Sequence, residues 1–188
     1  MTAVGDIGRL PNRLCRDHGG AAAVEFVMIL PVLALLLFGT IDVGRGLADY
    51  QRAAHGIRDA TRYLSRADPA ELGLDCALGI IDENAPAALA AMNLAMTGTL
   101  DGSGGHVLGY WTNAASLAAA GITVSVLCED NSGAALRGLY AGAAAVPSVR
   151  MSAAIAFPLL NGWVLGRGAT MTFTVHHREP HLGGNWGI

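Results

Sequence analysis

The sequence predicts an α+β protein: a long N-terminal helix whose first half crosses a membrane and whose outer half packs on a small antiparallel sheet. Three observations carry this. Ala21 to Ile41 is an apolar run interrupted only by Glu25, and its 21 residues match a hydrocarbon core roughly 30 Å thick at about 1.5 Å per residue. Beyond it, Val43, Leu47, Tyr50, Ala54, Ile57, Thr61 and Leu64 recur at alternating steps of four and three, one helical stripe. Three later stretches alternate apolar and polar residues with period two.

Composition bounds the function. A chain with 52% hydrophobic and 14% charged residues is too apolar to be disordered, and the part beyond residue 41 is long enough for one modest core. The net charge of −3 gives no basic footprint for nucleic acid, and no arginine cluster interleaved with aromatics occurs.

Residues 1–20 are polar, contain Pro11, Gly19 and Gly20, and read as a short cytoplasmic leader. Arg9, Arg13 and Arg16 precede the apolar run, so the N-terminus is expected inside and the bulk of the chain outside the cell membrane, which is crossed once. No small-x-small cleavage site succeeds the run; the small residues come before it, which points to processing on the cytoplasmic side or to none. Glu25 is a carboxylate within a membrane helix, a functional candidate by default; the plainer reading is an interfacial acid favoured by the helix dipole's positive end. Cleavage after Gly20 creates an α-amino group at Ala21, and a neighbouring subunit's amine can then neutralise Glu25. Pro31 removes one donor and frees the carbonyl of Val27, so a kink is expected there.

Residues 42–66 continue the helix outside the membrane, with Arg52, Arg58, Asp59, Arg62 and Arg66 off the apolar stripe. That stripe packs on its own domain or on a partner helix, and both can hold along different turns. Asp68-Pro69 ends the helix. Asn84 to Met96 reads as a short Ala-rich helix capped by Asn84, with Pro86 in its first turn and its apolar surface buried against the sheet. A Gly-rich loop, 98–105, comes next. Three antiparallel strands are expected around Ile122–Cys128, Val149–Leu159 and Thr170–His176, the last two linked by "NGWVLGRG"; Val107–Trp111 is a candidate fourth. The domains are then the leader (1–20), the transmembrane helix (21–41), its continuation (42–66), an extracytoplasmic α+β domain (67–179) and a loose Gly-rich tail (180–188). Cys76 and Cys128 both fall in the part placed outside, where oxidation permits a disulfide; two buried free thiols are the alternative.

Little points to chemistry. "DGSGG" has neither the lysine nor the strand-loop-helix setting of a phosphate loop. Of His176, His177 and His181, alternation sends the first two to opposite faces, so a solvated strand end is expected rather than a metal site. Glu25 and Asp42 lie about 25 Å apart along one helix and cannot act as a carboxylate pair. Nucleophile-elbow and metalloprotease motifs do not occur, which argues against an enzyme and leaves neither a cofactor nor a small-molecule substrate in view.

The stretch "GGAAAVEFVMILPVLALLLFGTIDVGRGLADYQRAAHGIRDATRYLSR" resembles the TadE-like pseudopilins of the tight-adherence (Flp, type IVb) pilus machinery. Glu25, Phe26, Leu30, Pro31, Gly39, Asp42, Gly44, Arg45, Ala53, Ala54, Arg58, Ala60, Thr61, Arg62 and Tyr63 carry the resemblance. "VRMSAAIAFPLLNG" and "GATMTFTV" are similar to the same family through weaker motifs. The resemblance implies a pilin-like fold and a minor pseudopilin or pilus-assembly protein serving cell adhesion, inserted as a prepilin. It implies cleavage between Gly20 and Ala21, with Gly20 required by the prepilin peptidase, Glu25 needed for processing or subunit alignment, and Phe26 for the motif's contact. Implied partners are that peptidase, other pilins or pseudopilins and inner-membrane assembly proteins. Major pilins of the system are much shorter, which favours an accessory role. The competing reading is a permanently anchored extracytoplasmic binding domain whose helix is only a tether.

Overall fold

The computed structural model describes residues 19–76, 78–112, 115–131, 145–160 and 169–182. The expected leader up to residue 18 and the "NGWVLGRG" link lie outside the described residues. The chain divides into two compact units between Val43 and Gly44. Helix α1, Gly19–Leu64, supplies the first unit and opens the second.

In the first unit α1 runs unbroken through Pro31. Its large apolar side chains from Val24 to Ile41 are exposed, Phe26 at 59% and Met28 at 77%. An exposed apolar surface of this extent marks a membrane or protein contact, and this helix is long and apolar enough to cross a membrane.

In the second unit α1 ends as Asp68-Pro69 requires. The amides of Arg66 and Ala67 close tight turns on Tyr63 and Leu64, and extended Asp68 caps a one-turn helix α2, Pro69–Leu72, by accepting the Ala70 amide at 2.9 Å. Helix α3, Pro86–Thr97, begins two residues later than expected. Asn84 is not its cap: Ala85 takes that position, and the Asn84 amide is held by the Asp82 carboxylate at 2.9 Å in a turn of its own. Pro86 sets the helical φ without needing a donor partner, so the helix starts there with no side-chain cap.

Strands β1 (Ile122–Asp130), β2 (Ala145–Pro158) and β3 (Thr170–Pro180) form one antiparallel sheet in that order. Ile122 pairs with Ala153, Met151 with His177 and Phe157 with Met171. This register puts Ile122, Val124, Val126, Val149, Met151, Ala153, Ile155 and Val175 in the core. The opposite face carries hydroxyls and charge: Thr123 and Ser152 share a 2.7 Å hydrogen bond, and Arg178 donates to Ser148 and pairs with Glu129.

Two further expectations need correction. Val107–Trp111 is a turn rather than a fourth strand. The Val107 amide donates to the Met96 carbonyl at 2.8 Å, the Trp111 amide returns to Leu108, and the Trp111 indole donates to Ala120, so this stretch plugs the core with Leu108 and Trp111. The first three residues of the expected loose tail are held, and residues 183–188 lie outside the described residues: Pro180 closes β3, His181 is fully buried, its amide donating to Pro147, and the Leu182 amide reaches Ser65 at 2.7 Å. That burial also overturns the solvated reading of His181.

The buried face of α1 in this unit departs from the apolar stripe. Ile57, Thr61 and Leu64 are fully buried, but Leu47 and Tyr50 stay 58% and 41% exposed. Asp49, Ala53 and Ala60 are buried instead. Small residues explain the rotation. A Cβ on Gly56 would stand 2.4 Å from the Ala95 carbonyl oxygen, so α1 and α3 cross nearly backbone to backbone, with Ala53, Ala60, Ala88 and Ala91 fully buried in the same core. Toward its start the same helix meets the sheet through aromatic edges, Tyr50 on Phe173 and Arg45 over Phe157.

Candidate functional site

The residues expected to direct processing lie on the first turns of α1. Gly20 has open space around it, and Ala21, Glu25 and Phe26 are all exposed. Ala21 and Glu25 are four residues apart, one helical turn, so the start of the Ala21 residue and the Glu25 carboxylate share a face of the helix. Among the described residues of this unit none covers that face, which leaves it to membrane or protein partners.

Cys76 and Cys128 form a disulfide, with Cα atoms 5.6 Å apart and a sequence separation of 52. The local chain explains the approach. Asp75 and Ile80 make an antiparallel bridge, the Asp75 carboxylate accepts the Leu78 amide, and the Gly79 carbonyl accepts the Val126 amide of β1. A single turn is thus stapled onto the end of β1. Closing a loop of this size stabilises the fold by about 4 kcal/mol in the chain-entropy model.

The Gly-rich loop turns its donors inward. The Ser103 amide and hydroxyl both bind Asp101, holding its carboxyl below the usual range, and the Gly104 amide binds the Thr99 hydroxyl. A Cβ on Gly104 would lie 2.3 Å from the Thr97 carbonyl oxygen. The loop therefore closes over the end of α3 instead of cradling a ligand.

One constellation is invisible to sequence reasoning. Asp49, buried on α1, accepts Arg52 Nη1 at 2.8 Å and the Tyr110 hydroxyl at 3.0 Å, across a separation of 61 residues. Burial, and then the Asp49 carboxylate beside it, push the Tyr110 phenol well above its ordinary range. Tyr110 also meets Phe157 edge-on, 6.0 Å between centroids. The one available signal is an acid one helical step from Ala53, on the face that small residues bury. Among the described residues no cluster of histidine, cysteine and carboxylate side chains is placed to hold a metal; His177 faces Glu179 at 3.2 Å.

Fold and site together define a class: a small α+β domain carried by one apolar helix long enough to span a membrane. Residues 20–62 match the family model described as TadE-like protein. Over that stretch, under half of the chain, the protein is similar to TadE-like proteins. Neither the curated proteins nor the solved structures yielded a match.

Proposed function

We propose that the protein is a minor pseudopilin or assembly protein of a tight-adherence pilus, inserted with its N-terminus in the cytoplasm and cut between Gly20 and Ala21 by a prepilin peptidase. The observation that carries this is the TadE-like stretch beginning at Gly20 and continuing through an apolar helix with every large side chain from Val24 to Ile41 exposed. Gly20 leaves room at the scissile bond. Glu25, one turn beyond Ala21, then pairs with the new amine of a neighbouring subunit, and such a pair within a membrane offsets the cost of the lone carboxylate, about 2.5–3.5 kcal/mol at mid-bilayer and less near the interface. The partners are then the peptidase, other pilins or pseudopilins and inner-membrane assembly proteins, and the role is structural rather than enzymatic. The Cys76–Cys128 disulfide supports an oxidising, extracytoplasmic setting for the folded domain.

N-terminal sequencing of the membrane-extracted protein tests the reading: the mature chain is expected to begin at Ala21. A mature chain that begins at Met1 while the peptidase is active refutes it. Glu25→Ala then separates the pseudopilin from a simple tether, since a tether inserts at least as well without the acid, whereas a pseudopilin loses assembly.

A further inference from the structure

The polar face of the sheet carries a charge pattern that folding does not need. Register sets Arg150 of β2 directly opposite Arg178 of β3 and, on its other side, opposite Ser125 of β1. The Ala154 amide donates to Gly121 just before β1, so the even-numbered residues of β2 turn their backbone groups that way, and Arg150 and Arg178 form a pair without backbone hydrogen bonds. In such a pair the Cβ atoms stand about 5 Å apart, and like charges oppose folding. Arg178 is held: its Nε donates to the Ser148 hydroxyl at 2.7 Å and its Nη2 pairs with Glu129. Ser148 is buried and donates onward to the Leu127 carbonyl, which fixes that arginine across β2. Arg150 is exposed, and among the described residues no carboxylate answers it. Against Glu129, the two arginines leave one positive charge over. The rest of the face is small and rich in hydroxyls. Thr123 and Ser152 share their hydrogen bond one rung away, and Ala154 opposite Thr174, then Ala156 opposite Thr172, continue it with exposed side chains. From Arg150 to Ala156 this flat strip runs about 20 Å.

We infer that this face binds a linear acidic polysaccharide, with the carboxylate of one sugar on Arg150 beside Arg178 and the hydroxyls of the next sugars on Thr172 and Thr174. Magnitudes favour a polymer over a free anion. An exposed arginine–carboxylate pair is worth about fivefold in affinity, too little to retain a lone anion. A chain that repeats its carboxylate and lies along the strip adds contacts without a second association cost. Threonine hydroxyls donate and accept, as sugar hydroxyls do, whereas an acidic polypeptide leaves most of them unused. The residues all belong to the second unit, so the inference does not rest on the pilus reading, and the outcome at Gly20 has no bearing on it.

The test titrates the full chain in detergent, by calorimetry, with oligogalacturonate, with neutral dextran oligosaccharide and with polyglutamate. Oligogalacturonate is expected to bind and dextran is not. Arg150→Gln should weaken the uronate about fivefold. The pair T172V/T174V, which keeps side-chain shape and strand preference at exposed positions, should weaken it by a similar factor of about five. Arg66→Gln, an exposed arginine just past α1, should change nothing, and unfolding temperatures equal to the parent's show that each variant is folded. Absence of oligogalacturonate binding, or binding undiminished in R150Q, overturns the site. Dextran bound as well as the uronate overturns the role of charge. Polyglutamate bound as tightly as the uronate, with T172V/T174V as tight as the parent, overturns the sugar and makes the partner an acidic polypeptide.

Discussion

The two halves of α1 solve opposite problems with the same secondary structure. From Val24 to Ile41 the helix carries large aliphatic and aromatic side chains, all exposed, and few small ones. From Gly44 to Leu64 its buried face is built from Ala53, Gly56 and Ala60 around Ile57 and Leu64. Bulk on the first half meets lipid or a partner helix, where area counts and register is loose. Smallness on the second half lets a neighbouring backbone approach, so that shape counts and one position decides which face is inside. Hydrophobicity thus predicts where α1 leaves water, and side-chain size predicts where it meets its own domain.

Substitutions at two glycines of the second half, one crowded and one open, give the largest test of the part that side-chain size plays there. Gly56→Ala should destabilise the fold by about 1–3 kcal/mol, because its methyl would enter the Ala95 carbonyl. Gly44→Ala, with open space around it, should stabilise by up to about 1 kcal/mol through helix propensity alone. Denaturant midpoints of the full chain in detergent show whether the two changes differ in sign. Next in size is Tyr110→Phe, which strips one partner from buried Asp49 and should cost about 1 kcal/mol. It carries a pH signature as well. Because the phenol's folded pKa is raised, its stabilisation is complete below the ordinary tyrosine value of about 10 and is lost as pH climbs above it. Unfolding temperatures measured from about pH 8 to about pH 11 should fall more steeply in the parent than in the Phe variant. The smallest effect belongs to the first half: Leu36→Ala, at an exposed position, should leave the denaturation midpoint within about 0.5 kcal/mol. A loss of several times that would mean the first half is packed within the chain after all.

Much of the architecture is legible in the sequence because it rests on periodicity. The three strands alternate so cleanly that their inward residues come from burying one face, and Asp68-Pro69 stops α1 for a reason local to two residues. The Cys76–Cys128 pair is legible from compartment rather than geometry. The features that escape depend on partners distant in sequence. Large apolar residues define the α1 stripe, yet the helix buries the neighbouring small ones, since α3 can approach only over Gly56. The alternation at Val107–Trp111 resembles a strand, but Met96 and Ala120 claim its hydrogen bonds and make it a plug. Glycines suggest a loose tail from Pro180, whereas Pro147 and Ser65 anchor its first residues.

By itself the sequence determined the membrane helix, the strands, the TadE-like stretch and the place of Glu25 one turn from Ala21. These are properties of spacing along one chain segment, and spacing is all a periodic pattern encodes. Only the tertiary structure decided which side of α1 faces the domain, and that Asp49 is buried between Arg52 and a tyrosine 61 residues away. It also decided that Arg150 stands directly opposite Arg178. Those outcomes depend on how closely backbones pack, and that is set where several segments meet at once.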